Sequence, residues 1–258
     1  SCACGTSLLL SSCAEVPMSE RKQLNIVSDD FLYSKTFPAY ENFKSQSKLI
    51  TGTKEYNEIV DIGFNIRDAI NAYYQVNHKE NPTTNFQWEF ILVDDDQTKN
   101  AWCMPGGKIA FYTGILPIAK NKDGIASIMG HEVAHAVARH SAERASTAIL
   151  ADVGTMALEQ LILGQRLPKA AGYIRQFGLN LPFNRSQESE ADYLGLIFSS
   201  LAGYNVNESY KVWERMVEDS GGSGPSEFFS THPSPKNRIK KLKEWIPLVN
   251  VQYPAIST

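Results

Sequence analysis

With 258 residues, 43% of them hydrophobic, the chain carries enough apolar material for one sizeable core, and its composition excludes a disordered polypeptide. A formal net charge of −3, from 25 basic and 28 acidic residues, leaves no basic stripe and excludes nucleic acid as a partner. Four cysteines, Cys2, Cys4, Cys13 and Cys103, are too unevenly placed for a disulfide framework.

The first thirteen positions end in Leu10-Ser11-Ser12-Cys13 after a short apolar run. Small residues before a cysteine match a bacterial lipobox, so residues 1–12 are expected to be the remnant of a secretory signal and Cys13 a lipidated N-terminus. The lipid would hold the protein to a membrane facing the periplasm of a Gram-negative bacterium, the outer membrane being preferred. Residues 13–28 show no sustained period and read as a tether that then lies against the domain, and residues 29–258 as a single domain. Apolar residues at helical spacing predict helices over 29–40 and 54–76, the second carrying Ile59, Ile62, Ile66 and Ile70 on one side. Phe86 to Val93 is rich in β-formers and predicts a strand, closed by a turn at Asp94-Asp95-Asp96.

Asn100-Ala101-Trp102-Cys103-Met104-Pro105-Gly106-Gly107 and the residues up to Gly114 read as two short strands joined across the proline and paired glycines. Such residues suit a sheet margin, where an extended peptide could add itself as one more strand; a plain hairpin turn fits the spacing as well. Cys103 reads as a small buried hydrophobe.

Asn121 or Asp123 can cap the next helix, which carries His131-Glu132-Val133-Ala134-His135. Residues four apart share a helix face, so the two imidazoles can grip one Zn²⁺, with Glu132 beside the open position as general base for peptide hydrolysis. A continuous helix puts His140 off that face. Residues 141–163 read as a core helix or a lid, with Asp152 and Glu159 breaking the apolar run that a membrane span needs. Two histidines leave the metal one protein ligand short. Glu188, on a later helix, can supply it, and Asp192, four residues on, can accept a hydrogen bond from the far nitrogen of a ligand histidine. Glu190 points elsewhere on this reading. Ser220 to Gly224 reads as a flexible loop ahead of His232, which could donate to the oxyanion of the transition state or occupy the open metal position as a plug.

His131-Glu-Val-Ala-His135, Glu188-Ser-Glu-Ala-Asp192 and Thr231-His232-Pro233 with Arg238, in that order, resemble metallopeptidase family forty-eight, the group of HtpX, the CAAX prenyl proteases and the Oma-type proteases. Arg21 to Asp29 and Asn100 to Gly107 are similar to its soluble bacterial lipoprotein branch. The resemblance covers about Cys13 to Trp245. It implies a helix-rich α+β, gluzincin-like domain whose small sheet presents an edge strand to the cleft. It also implies one zinc ion per chain on His131, His135 and Glu188, Glu132 as catalytic base, Asn100 to Gly107 along the substrate, and misfolded or envelope polypeptides as substrates. A non-catalytic, chaperone-like zinc protein is the competing expectation. The oligomeric state stays open.

Overall fold

The computed structural model describes residues 13–19, 21–148, 183–221, 228, 232 and 235–256. The signal remnant at 1–12, the helix expected to continue beyond residue 148, and the glycine-rich loop at 222–224 lie outside the described residues. The elements are β1 (Cys13–Glu15), β2 (Lys22–Leu24), α1 (Asp29–Gln46), β3 (Leu49–Ile50), α2 (Lys54–Val76), β4 (Glu89–Val93), β5 (Ala101–Met104), β6 (Lys108–Tyr112), the short α3 (Leu116–Ala119), α4 (Lys122–Val137), α5 (Arg185–Leu201), α6 (Glu208–Ser220) and α7 (Pro235–Gln252). The fold is helix-rich α+β, as expected.

Four strands form the main sheet in the order β3-β4-β6-β5, with β4 and β6 parallel and the outer pairings antiparallel. Alternation along each strand divides its side chains between two faces. Phe90, Leu92, Ile109 and Phe111 join the main core with Ile59, Ile62, Ile66 and Ile70 of α2 and Met129 and Val133 of α4. Ile91, Val93, Met104 and Ala110 turn the other way and pack with Tyr40 of α1. The sheet therefore lies between α1 on one side and α2 with α4 on the other. Burying each large aliphatic chain here contributes about 1.5–3 kcal/mol.

The proline and paired glycines do mark a sheet margin: β5 is the edge strand, and Gly106 and Gly107 adopt φ of 89° and 80°. A Cβ on Gly106 would also come within 2.5 Å of the Phe37 ring, so glycine is required there on two grounds. The sequence did not reveal that β6 inserts beside β4 in parallel. The N-terminal residues, expected to lie against the domain as a tether, make an antiparallel hairpin, Cys13↔Leu24 to Glu15↔Lys22, and Val16 at its turn is buried in the main core. An apolar residue held by strand pairing cannot be read from a segment too short to show a period.

The cap of α4 is Asn121, whose side chain accepts from Gly124 N at 2.9 Å, while Asp123 accepts from Asn205 N. From Gly124 to Val137 every residue but Ser127 is buried. This central helix carries the site. No helix among the described residues is long and apolar enough to cross a membrane.

Candidate active site

One turn of α4 places His131 and His135 together, with Nε2 atoms 3.1 Å apart and rings edge to face. What brings a carboxylate to them is a close crossing of α5. A Cβ on Gly130 would meet Gly195 O at 2.7 Å, and one on Gly195 would meet His131 N at 2.8 Å, so the two backbones touch through paired glycines. Two turns before Gly195, Glu188 then lies over the imidazoles, with Oε1 3.4 Å from His135 Nε2 and Oε2 3.7 Å from His131 Nε2. Asn184 starts α5 with a capping box, accepting from Gln187 N while Gln187 reaches back. Asp192, one turn beyond Glu188, accepts from His131 Nδ1 at 3.1 Å.

Gly195→Ala tests that crossing. The added methyl forces α5 outward, costing about 1–3 kcal/mol of stability and drawing Glu188 off the histidines. Urea midpoints and metal titration read the two effects separately; an unchanged metal affinity would show that the crossing does not set the site.

His232 completes the cluster. Its Nδ1 lies 2.9 Å from Glu188 Oε1 and 3.3 Å from His131 Nε2, and its Nε2 lies 3.4 Å from Glu132 Oε1. Ligand atoms of His131, His135, Glu188 and His232 all fall within 4.8 Å of one another. The donors suit a divalent cation: two imidazoles and a carboxylate converge, and Oε1 of Glu132, buried beside them, makes no hydrogen bond among the described residues.

The protonation states agree with that role. Burial holds His135 well below its ordinary pKa, so its ring is neutral, as a ligand must be. Burial works against ionisation of Glu188, but the charges of His232 and Arg238 outweigh it and keep that pKa well below the carboxylate range. Glu132 goes the other way. Burial, reinforced by Glu188 and opposed by His232 and Arg238, pushes it up to about 7.

Two participants escaped the sequence, and a third, Arg238, entered it only within the family motif, with no role assigned. Arg238 is buried over the Trp213 ring, with its charge divided between Asp192, from Nε at 2.7 Å, and Glu188, from Nη1 at 2.6 Å. A lone arginine on α7 has no spacing that ties it to α5. His140, expected off the metal face, is fully buried with Nδ1 2.8 Å from His135 Nδ1, and Glu190, expected to point elsewhere, accepts from its Nε2 at 2.9 Å. Glu190, on α5, does turn away from the cluster, as expected, and there meets His140; the reading of His140 assumed an unbroken helix. Arg139 instead adopts φ 56°, and the chain turns before becoming helical again over residues 140–148. That conformation costs a non-glycine residue about 1–2 kcal/mol; bonds from its side chain to Asp29 and to the Val27 carbonyl hold it.

Along the edge strand, Trp102 and Cys103 are half-buried, whereas Asn100, Ala101, Met104, Pro105, Gly106 and Gly107 are buried. Asn100 caps Ala101 N with its own side chain. The strand passes beside α4, bringing the Cys103 backbone N–H near enough to Glu132 to favour its ionised form. Burial, with Glu132 close by, raises the Cys103 thiol well above its ordinary pKa, in keeping with an inert side chain.

Residues 66–246 match the profile of peptidase family M48. The protein named mitochondrial metalloendopeptidase OMA1 of Schizosaccharomyces pombe is 36% identical over 239 residues, which cover 92% of this chain and 67% of that protein. Its namesake in Saccharomyces cerevisiae is 37% identical over 182 residues, covering 65% and 49%. The beta-barrel assembly-enhancing protease of Escherichia coli is 27% identical over 176 residues, covering 64% and 35%. The chain thus spans from about a third to two thirds of these relatives. Relatives named as mitochondrial overturn the expected bacterial periplasm, and with it the lipid anchor at Cys13 in a bacterial envelope. A match over most of the chain, centred on the helices that bring the histidines and glutamate together, shows that it belongs to peptidase family M48.

Proposed function

We propose that the chain is a zinc-dependent endopeptidase that cleaves unfolded or misfolded polypeptides. Residues 29–258 act as a single catalytic domain on this reading. The observation that carries it is the convergence of His131, His135 and Glu188 with Glu132, a carboxylate outside that ligand set, buried alongside. Zn²⁺ on those three side chains would supply the Lewis acidity that polarises the scissile carbonyl.

The remaining work falls to the protein. Glu132, with a pKa near neutrality, takes a proton from the attacking water and passes it to the leaving amine. Asp192, held by Arg238, accepts from His131 Nδ1 and so keeps the lone pair on Nε2 facing the cluster. β5, the edge strand among the described residues, would pair with the backbone of an extended substrate, a mode of recognition that suits unfolded chains because it reads main chain rather than sequence. The presence of Glu132 favours an enzyme over a chaperone-like zinc protein, which would have no use for a carboxylate that is not a ligand.

The test is hydrolysis of an unfolded casein by the purified chain, its loss on chelation and its return with zinc. Absence of chelator-sensitive cleavage would sink the reading.

His232 is the resting plug. Phe228 stacks on its ring at 4.4 Å, and with it in place His131, Glu132, His135 and Glu188 are each no more than 5% exposed, so the ring must leave before a substrate enters. His232→Ala is accordingly expected to raise casein turnover several-fold at subsaturating substrate. A steep fall in kcat would instead assign the imidazole to the oxyanion.

A further inference from the structure

We infer that Arg21, on the N-terminal hairpin, is a positioning residue for the metal site, anchoring a chain of hydrogen bonds through Glu190 and His140 that sets the ring of His135. The inference rests on the reading of His131, His135 and Glu188 as metal ligands.

His135 turns Nε2 into the cluster, 3.1 Å from His131 Nε2 and 3.4 Å from Glu188 Oε1. To offer a lone pair there, it must carry its proton on Nδ1. The neighbour of Nδ1 is neither a carbonyl nor a carboxylate but Nδ1 of His140, at 2.8 Å. His140 must therefore accept at Nδ1 and carry its own proton on Nε2, which faces Glu190 Oε2 at 2.9 Å. Reversing the pair would put the His135 proton inside the cluster. One orientation is allowed, with every donor pointing outward to Glu190, and such a chain polarises each member and raises the basicity of the ligand at its inner end.

Glu190 is the fixed end because the hairpin holds it. The Ser19 hydroxyl donates to its Oε1, and Arg21 Nε donates to Oε2 at 2.8 Å. The two terminal nitrogens of the same guanidinium fork onto Glu143 at 2.7 and 2.9 Å, and Glu143 also accepts from Gln187 of α5 at 2.8 Å. One side chain thus ties the hairpin, the helical residues after the break at Arg139, and α5 into one unit. Lysine could not do this, since three donors in a rigid fork are used on two carboxylates. The two histidines are therefore held from opposite sides. His131 is oriented directly by Asp192, whereas His135 depends on residues more than a hundred positions earlier in the chain.

The test uses the full chain stripped of metal, with zinc affinity measured by chelator competition and Co²⁺ as a spectroscopic probe. Arg21→Ala is expected to weaken zinc binding about 10-fold, and His140→Phe on the order of 10- to 100-fold, as is usual when a group behind a metal ligand is lost. Both should alter the cobalt absorption spectrum. Arg21→Lys should recover part of the loss by keeping a charge at Glu190. Should Arg21→Ala fail to fold, the isosteric Glu190→Gln takes its place, with a several-fold loss of affinity expected. Parental affinity and an unchanged cobalt spectrum in the folded variants would overturn the inference while leaving the peptidase reading intact. A parent chain that binds no zinc would overturn both.

Discussion

Glu132→Gln is expected to lower peptide hydrolysis by about 10²–10⁴-fold, the usual contribution of a general base, while zinc content stays at the parental level. The substitution keeps the size of the side chain and removes only its capacity to take a proton, and the carboxylate is not one of the clustered ligand groups. Casein turnover and metal analysis on the same preparation measure both, and parental turnover would contradict the assigned role. Stability should move in the opposite direction. In the metal-free protein, burial raises the Glu132 pKa from 4.5 to about 7. Between those values the unfolded chain has released its proton and the folded chain has not, so stability falls as pH rises through that window and the loss is complete above it. At about 1.4 kcal/mol per unit the cost is on the order of 3 kcal/mol. Glutamine has no proton to lose. Urea unfolding of chelated protein near pH 5 and pH 8 should show the variant gaining on the parent at the higher pH, and an equal difference at both would refute this account.

Glu188→Ala should abolish stoichiometric zinc binding, because two imidazoles alone seldom hold the ion. The same substitution removes the carboxylate that faces Arg238 Nη1 at 2.6 Å and His232 Nδ1 at 2.9 Å, stranding positive charge in the interior. Breaking a buried pair by deleting one partner costs about 3–5 kcal/mol; retention of Asp192 beside Arg238 argues for the lower end. Glu188→Gln separates the two effects, since it keeps the volume and an acceptor oxygen while losing the charge. Metal per chain and thermal unfolding report them independently. Zinc held by the alanine variant as tightly as by the parent would remove Glu188 from the ligand set.

The metal reading was legible because helical periodicity is local. His131 with His135, and Glu188 with Asp192, are pairs four apart within single helices, and the spacing alone puts each pair on one face. The same holds for the edge strand, where the glycines at Gly106 and Gly107 announce the positive φ they adopt. Where local rules were extended across a break they gave His140 its place off the metal cluster but missed its contact with His135. His140 was placed by continuing α4 through Arg139, a residue that carries no mark of the left-handed conformation that ends the helix.

What the chain could not disclose is which distant elements meet. Cys13 to Leu24 shows no period because its hairpin is short, and its burial follows from Val16 docking on helices far along the chain. Arg21 and Arg238 reach the site from the two ends of the chain, and only the crossing at Gly130 and Gly195 turns two separate helical motifs into one cluster. The sequence by itself determined the residues proposed as ligands, the carboxylate beside them and the faces that carry them, since these follow from residue identity and a 3.6-residue repeat. Tertiary structure alone decided the orientation of the ligand rings and the partners behind them, because hydrogen bonds between elements depend on close packing of surfaces that no local pattern records.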